Sequence, residues 1–290
     1  MLKKIMRAFT HVNVNGKQVI GNPAGVFIFE SNEELPSYGS MCDIAREERL
    51  PITVFAKHIK ENEFDIRYFF PNGVEANFCG HGTIVTSNVV KDCFNVIDNI
   101  IFYFNKEMFL NKEVDNKIVV NSLQSDFFSM EISRYNIEHV KNSNFTKMIL
   151  NSFDNLKVDD IKGIFKCKEL DDYIVQLNQE TNLNSLKVNK NKFEELNSIF
   201  KFRACAITKQ SKFSRIDYET RVFSIELTDY EDIVCGSSSC YLSTLWSNEL
   251  HKDNLTVLFP YNNANEYFGG VEYLKIKNDN ELTLGGYCRN

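Results

Sequence analysis

The stretch NFCGHGTIVTSNVV, residues 77 to 90, begins with small and polar residues around a cysteine and continues as an apolar run with helical spacing. A second stretch, YEDIVCGSSSCYLSTLW at residues 230 to 246, has the same form. Small polar residues ahead of a periodic apolar segment are typical of a helix start. The sequence therefore predicts two separate helices that each begin with Cys-Gly, one at Cys79 and one at Cys235.

Alternating, β-branched and aromatic segments stand before and after both Cys-Gly helices, which predicts strands on either side of each. Residues 6–30 are predicted to form two strands joined by a turn at Gly21, Asn22 and Pro23. A helix is expected in residues 36–50, a loop and a surface helix in 177–200, and a hairpin in 272–288. The order is thus strands, helix, strands, helix, strands.

This internal duplication predicts an α+β fold of two pseudo-symmetric lobes, each an antiparallel sheet wrapped around a central helix. We place the N-terminal lobe at residues 1–118 together with 276–290. The C-terminal lobe is placed at residues 119–275.

Composition narrows the class of function. The net charge is -6 and no basic cluster occurs, which argues against a nucleic-acid partner. No apolar run approaches the roughly 18 residues of a membrane span, and the first residues do not form a secretory signal. The sequence therefore predicts a cytoplasmic protein that binds a small molecule and not a membrane. Its oligomeric state, a homodimer included, is left open.

The two helix-start cysteines are candidates for acid/base chemistry. A thiol at a helix N-terminus faces unpaired N–H groups and the positive end of the dipole, so its pKa is expected to be lowered. The glycine that follows lets a carboxylate approach the backbone. Two such helices meeting head to head would place sulfurs on opposite faces of one carbon, which is the geometry for inverting a stereocentre.

A structural explanation competes with this one, because free cysteine is among the most buried residue types. We accept it for five of the eight cysteines, namely Cys42, Cys93, Cys167, Cys205 and Cys288. A zinc site made from Cys79, His81, Cys235 and Cys240 has spacings that fit structural zinc motifs poorly, so no metal is expected. His81, two residues after Cys79, is placed to orient a substrate or tune the thiol.

Four stretches together resemble the PhzF-like phenazine-biosynthesis proteins, within the diaminopimelate epimerase and proline racemase superfamily. They are FTHVNVNGKQVIGNPAGVFIF (9–29), FDIRYFFPNGVEANFCGHGTIVTSNVV (64–90), ETRVFSIELTDYEDIVCGSSSCYLSTLW (219–246) and FGGVEYLKIKNDNELTLGGY (268–287). The resemblance covers nearly the whole chain. It implies a diaminopimelate epimerase-like fold of two lobes, with the site in the cleft between them.

Two positions depart from the PhzF pattern. The family usually has a catalytic glutamate in Ser-Glu-Thr-x-Phe, where this chain has Ile52, and a threonine where this chain has Cys235. Cys79 and Cys235 together restore the two-thiol arrangement of diaminopimelate epimerase and proline racemase. Glu231 resembles the acidic residue of the superfamily's second motif and Asp232 the PhzF-type aspartate; which of them faces the substrate is left open.

From these residues and this resemblance we expect a two-base racemase or epimerase that inverts the α-carbon of an amino acid or related carboxylic acid. No cofactor, neither metal nor pyridoxal phosphate, is expected. The expected catalytic residues are Cys79, Cys235, His81 and Asp232. The expected substrate-binding residues are Asn22, Gly80, Gly82, Glu231, Gly236 and Ser237. Side-chain specificity is expected from loops near Asn22, Arg67 and residues 260–270.

Two alternatives remain. One is a PhzF-type isomerase that moves a proton without inverting a centre, using Asp232, His81 or a single cysteine. The other, motivated by Ile52, is a catalytically inactive member of the fold that binds a ligand or a protein. Thiol reactivity separates the inactive member from a racemase, because a racemase requires a reactive exposed sulfur and an inactive member has no reason to keep one.

Overall fold

The computed structural model describes residues 1–96, 99–104, 117–122, 126–227, 229–261 and 266–289. The chain divides into two compact units. The first comprises Met1–Thr10, Ile20–Ile132 and Thr283–Asn290, and the second comprises His11–Val19 and Ser133–Leu282. The lobe boundaries at 118/119 and 275/276 stay a prediction.

The secondary structure alternates strands with five helices in the described residues. The elements of the first half are β1 (Leu2–Val14), β2 (Lys17–Val19), β3 (Asn22–Phe29), α1 (Tyr38–Glu48), β4 (Ile52–Lys60), β5 (Glu63–Phe69), β6 (Glu75–Ala76), α2 (Gly80–Phe94), β7 (Ile100–Tyr103), β8 (Lys117–Ser122) and β9 (Phe127–Ser133). Those of the second half are β10 (Glu138–His139), α3 (Ser143–Ser152), β11 (Phe153–Asp154), β12 (Ile161–Cys167), β13 (Asp172–Leu177), β14 (Lys187–Val188), α4 (Lys190–Phe200), β15 (Cys205–Gln210), β16 (Tyr218–Phe223), β17 (Glu231–Asp232), α5 (Ser239–Leu250), β18 (Asn254–Phe259), β19 (Tyr267–Phe268), β20 (Gly270–Ile276) and β21 (Glu281–Arg289). Single 3-10 turns occur at Val158–Asp160, Leu183–Ser185 and Gly236–Ser238.

The first unit contains a mixed sheet rather than the purely antiparallel one that the sequence predicts. β3 pairs with β4, and β5 with β7, in parallel. β4–β5, β5–β6 and β7–β8 are antiparallel pairs. Parallel neighbours need a crossover connection, and here α1 links β3 to β4 while α2 lies between β5 and β7. The helices therefore account for the parallel pairs.

The second unit repeats this series of elements and pairings. β13 pairs with β15, and β16 with β18, in parallel. β15–β16, β16–β17 and β18–β20 are antiparallel. Its crossovers contain α4 and α5. The helix that follows the two-residue strand β6 in the first unit is α2, and the helix that follows β17 in the second is α5.

These two helices are enclosed by protein. In α2 every residue from Gly80 to Val90 is buried, and the helix packs against β3 and β4. In α5 every residue from Ser239 to Ser247 is buried, and the helix packs against β18 and β20. A helix that is apolar or small on all sides is expected to be central. None of the helices in the described ranges combines the length and apolarity that a membrane crossing requires.

Several local predictions differ from the structure. Gly21 has φ +72°, but Asn22 and Pro23 are the first residues of β3 and pair with β1. Proline is tolerated there because it sits at the start of a strand. Cys93 is exposed near the end of α2, whereas it was expected to be buried. Of the predicted specificity loop 260–270, residues 262–265 lie outside the described part of the chain.

Candidate active site

Cys79 is the residue immediately before the first turn of α2, with extended backbone angles of φ -144° and ψ 107°. Its carbonyl accepts the Thr83 backbone N–H at 2.9 Å and the Thr83 hydroxyl at 2.8 Å. The Thr83 hydroxyl also bonds the Tyr68 hydroxyl at 2.6 Å. The partly exposed thiol of Cys79 therefore lies at a fixed helix start, where backbone N–H groups have no intrahelical partner.

His81 is buried beside this thiol. Its Nδ1 lies 3.2 Å from Cys79 Sγ and 3.5 Å from Nδ2 of Asn22. Burial lowers the pKa of the His81 imidazole to about 3, so the ring is neutral at physiological pH. A neutral imidazole can share a hydrogen bond with the sulfur but supplies no positive charge to a thiolate. The geometry suits His81 for orienting the thiol or a substrate.

Gly82 allows the start of α2 to pack closely against β4. A Cβ atom at this position would lie 3.1 Å from Val54 Cγ2 and 3.3 Å from Ile52 Cγ2. Ile52 is fully buried and so contributes to the surface on which the Cys79 helix begins. Where the resemblance implies a glutamate, this chain presents an apolar side chain.

Cys235 precedes the 3-10 turn Gly236–Ser238, which leads directly into α5. Its carbonyl accepts the Ser238 backbone N–H at 3.1 Å and the Ser238 hydroxyl at 2.7 Å. A hydroxyl in the first turn therefore holds the carbonyl of Cys235, as Thr83 holds that of Cys79. The predicted helix start is corrected in one detail, because one 3-10 turn separates the cysteine from the α-helix.

Cys235 is buried, with 7% of the residue exposed. Burial raises the pKa of Cys235 to about 12, and the nearby charge of Asp232 adds to this, while Arg203 and a hydrogen bond from Ser237 oppose it. The helix start was expected to lower this pKa; instead, removal of the sulfur from water outweighs the favourable N–H groups. Cys235 is therefore a protonated thiol at neutral pH.

Ser237 links this thiol to an ion pair in which the Asp172 carboxylate is buried and the Arg203 side chain is 41% exposed. Its Oγ lies 3.4 Å from Cys235 Sγ and accepts a hydrogen bond from Arg203 Nη1 at 3.1 Å. Arg203 also donates through Nη2 to Asp172, which is fully buried. Arg203 and Asp172 flank ordinary strand patterns, so nothing in the sequence distinguishes them from surface charges.

Glu231 and Asp232 have different surroundings. Arg221 donates Nε and Nη2 to the two carboxylate oxygens of Glu231, at 2.6 and 2.7 Å, and both side chains are buried. Asp232 is partly exposed and acts electrostatically on Cys235. The carboxylate of Glu231 is engaged by the protein itself, so its surroundings suit a residue that positions the turn before Cys235.

The first unit contains an equivalent ion pair. Arg67 donates Nε and Nη2 to the two oxygens of Glu75, both at 2.7 Å. Glu75 stands four residues before Cys79, and Glu231 stands four residues before Cys235. Each helix-start cysteine thus follows a short strand that a bidentate arginine pair holds against its neighbour.

Glu272 is a buried carboxyl group that the sequence analysis missed. Its Oε2 accepts a hydrogen bond from Ser239, the first residue of α5, at 2.5 Å, and its Oε1 has no hydrogen-bond partner among the residues that the structure describes. Burial raises the pKa of Glu272 to about 8; the Ser239 bond opposes this and the charge of Asp232 adds to it. Strand alternation places Glu272 on the same face as the buried Leu274, which could have revealed it.

The predicted site residues fall into two local groups. The group in the first unit consists of Asn22, Cys79, Gly80, His81 and Gly82. The group in the second consists of Asp232, Cys235, Gly236 and Ser237. Glu231 lies beside them and is paired with Arg221. Within the described ranges, no set of three or more His, Cys, Asp or Glu side chains is arranged to hold a metal ion.

Comparison with known proteins identifies relatives in sequence and in structure. A bovine (Bos taurus) phenazine biosynthesis-like domain-containing protein is 25% identical over 284 residues, covering 92% of this chain and 90% of its own. A crystal structure of a PhzF-family phenazine biosynthesis protein from Enterococcus faecalis has a TM-score of 0.77 at 20% identity, covering 99% and 95% of the two chains. A protein described as a probable proline racemase from Agrobacterium radiobacter, with bound carbonate, has a TM-score of 0.52 at 8% identity, covering 98% and 90%.

The fold is therefore shared with PhzF proteins and with proline racemase-like proteins. The family model described as phenazine biosynthesis-like protein matches residues 7–281 of this sequence. That match includes both helix-start cysteines and both arginine–glutamate pairs. The chain belongs to the phenazine biosynthesis-like (PhzC-PhzF) protein family.

Proposed function

We propose that the protein is a cofactor-independent racemase or epimerase that inverts the α-carbon of an amino acid or related carboxylic acid, with Cys79 and Cys235 as its acid/base pair. The supporting observation is the local equivalence of the two thiols. Each cysteine precedes an enclosed helix, has its carbonyl held by a hydroxyl of the first turn, and follows an arginine-paired glutamate by four residues. Two equivalent proton-transfer groups are what a two-base inversion needs.

The proposed reaction transfers protons and leaves the redox state unchanged. One sulfur, as thiolate, takes the α-proton, so a C–H bond breaks and an S–H bond forms. The other cysteine gives its S–H proton to the opposite face of the carbon. The negative charge that develops on the substrate carboxylate is stabilised by N–H groups at the helix starts. Each turnover leaves the two sulfurs with exchanged protonation states.

Neighbouring residues are assigned roles in the same proposal. Gly80, Gly82 and Gly236 let the substrate carboxylate approach the backbone. His81 and Asn22 orient the substrate beside Cys79. We assign the contact with the substrate amino group to Asp232 rather than Glu231, because both oxygens of Glu231 are already bound by Arg221.

The proposal is tested by incubating the protein with a panel of L- and D-amino acids in deuterated water and measuring both deuterium uptake and inversion. Cys79→Ser and Cys235→Ser should each lower inversion at least about 100-fold, because serine is a far weaker base at neutral pH. With an analogue that carries a β-leaving group, each variant should still eliminate from one enantiomer, and the two variants from opposite ones. Preference of both variants for the same enantiomer would rule out the two-thiol mechanism.

A PhzF-type isomerase is the second candidate. It is supported by the family match and by the buried, protonated state of Cys235, which is a poor base as it stands. In that reaction Asp232, His81 or Cys79 would move one proton within the substrate without inverting a centre. Deuterium uptake without inversion, together with full activity of Cys235→Ser, would favour this candidate. Absence of exchange with every compound would favour an inactive, ligand-binding member of the fold.

A further inference from the structure

Three side chains form a hydrogen-bonded series that ends at the Cys235 sulfur. The series starts at Asp172, which is fully buried and also accepts the Ala204 backbone N–H at 3.0 Å. Arg203 pairs with Asp172 through Nη2 and donates through Nη1 to Ser237 Oγ at 3.1 Å. Ser237 Oγ lies 3.4 Å from Cys235 Sγ. A buried carboxylate thus fixes an arginine whose other arm contacts the neighbour of the thiol.

The chemistry of the donors sets the direction of these hydrogen bonds. A guanidinium group only donates, so the Ser237 oxygen must be the acceptor in its bond with Arg203. The proton of the Ser237 hydroxyl is then available for another acceptor, and Cys235 Sγ lies within the distance of a hydrogen bond to sulfur. A hydroxyl that donates to sulfur stabilises the thiolate more than the thiol.

We propose that Asp172, Arg203 and Ser237 form a relay that stabilises the Cys235 thiolate, with Arg203 as its positioning residue. This inference rests on the proposed function in one respect, because a two-base reaction requires Cys235 to become a thiolate in every cycle. The sequence predicts that Ser237 binds substrate, and this proposal adds a role for its hydroxyl in stabilising the sulfur.

The charged and titratable groups around Cys235 define what the relay must overcome. Asp232 from β17 and Asp172 from β13 disfavour a negative sulfur, as does burial. Cys240 and Tyr241 of α5 also interact electrostatically with Cys235. Arg203 and the Ser237 hydrogen bond act in the opposite direction. Arg203 is thus the cation in this group, held in place by Asp172.

The relay is tested by the rate at which methyl methanethiosulfonate, a small uncharged reagent, modifies Cys235 at a fixed alkaline pH without substrate. The background carries Cys79→Ser and Cys93→Ser, and the Cys235 peptide is quantified by mass spectrometry. Because the thiolate is the reactive form, Cys235 should be modified about tenfold more slowly in Arg203→Gln and in Ser237→Ala than in the background protein. Asp232→Asn should label faster. Lys162→Gln, which breaks an exposed ion pair with Glu249, is the matched control and should leave the rate unchanged.

These signs separate the relay from a purely structural role for Arg203. If Arg203→Gln merely loosened the turn, the buried sulfur would become more accessible and label faster. An equal or faster rate in Arg203→Gln, including equally undetectable labelling of both proteins, would overturn the relay. The labelling assay needs no turnover, so it can succeed even if the protein inverts no substrate. The expected order of labelling rates, found together with no inversion of any substrate, would support the relay and reject the proposed function.

Discussion

Arg221 and Glu231 form a bidentate ion pair in which the two side chains are only 3% and 4% exposed. The remaining guanidinium arm donates to the carbonyl groups of Leu183 at 3.0 Å and Leu186 at 2.7 Å. One arginine therefore ties the turn before Cys235 to β16 and to the Leu183–Ser185 turn. Four hydrogen bonds to protein groups hold this guanidinium in place.

Arg221→Met should lower the free energy of unfolding by about 3–5 kcal/mol, because it leaves the Glu231 carboxylate buried and unpaired. The double variant Arg221→Met/Glu231→Leu should recover most of that loss, since it removes both charges. Lys162→Met, which breaks an exposed pair, should cost at most about 1 kcal/mol. Urea unfolding measures all three. A double variant as unstable as Arg221→Met would contradict the ion-pair argument.

Gly82→Ala should destabilise the protein by about 1–3 kcal/mol, because the added methyl group would meet Val54, Ile52 and Tyr68 at 3.1 to 3.3 Å. Gly39 in α1 is the matched control, with nothing within 4 Å of its would-be Cβ. Gly39→Ala should stabilise by about 0.5–1 kcal/mol through helix propensity. Thermal unfolding of both variants measures the two changes in stability. Changes of the same sign would show that close packing at α2 does not restrict the side chain at position 82.

Glu272→Gln should change how stability depends on pH. The pKa of Glu272 is raised from 4.5 to about 8 by burial, so between these values the folded protein holds a proton that the unfolded chain has released. The stabilising contribution is present below pH 4.5 and is lost as the pH rises through 8. The variant lacks this loss, which is on the order of a few kcal/mol. Urea unfolding at pH 5 and pH 8.5 should therefore show the variant gaining on the wild type at the higher pH.

His81→Gln should produce a change of opposite sign. Burial lowers the pKa of His81 from 6.5 to about 3, so the unfolded chain takes up a proton first as the pH falls. The contribution of His81 to stability is present above pH 6.5 and is lost as the pH falls through 3. Relative to wild type, His81→Gln should therefore be more resistant to unfolding at pH 4.5 than at pH 7. Identical pH dependence in the two proteins would show that His81 already titrates normally.

The helix starts and most strands could be predicted because their causes are local. The apolar periodicity after Cys79 and the small residues after Cys235 set both helix beginnings within the sequence itself. The parallel strand pairs could not be predicted in the same way, because they depend on where each crossover connection places the next strand in the sheet. The second strand of residues 6–30 is predicted to begin after Pro23, because Gly-Asn-Pro is typical of turns, and begins at Asn22 instead.

The chemistry around Cys235 could be predicted only in part. Arg203 and Asp172 are 31 residues apart and meet because β13 and β15 run in parallel. The raised pKa of Cys235 depends on burial by tertiary packing, whereas the sequence shows only the helix start. The question of whether Glu231 or Asp232 faces the substrate likewise depends on Arg221, which lies on another strand.

β1 takes part in both units. Leu2–Ala8 pair with β3 in the first unit, while His11 and Val14 pair with β2 in the second. The other partner of β1 in the first unit is β21, which follows every strand of the second unit along the chain. During translation the ribosome therefore releases the whole second unit before the strand that completes the first. Until β21 emerges, the edge of β1 that it covers is unpaired, and an unpaired strand edge exposes a nascent chain to aggregation.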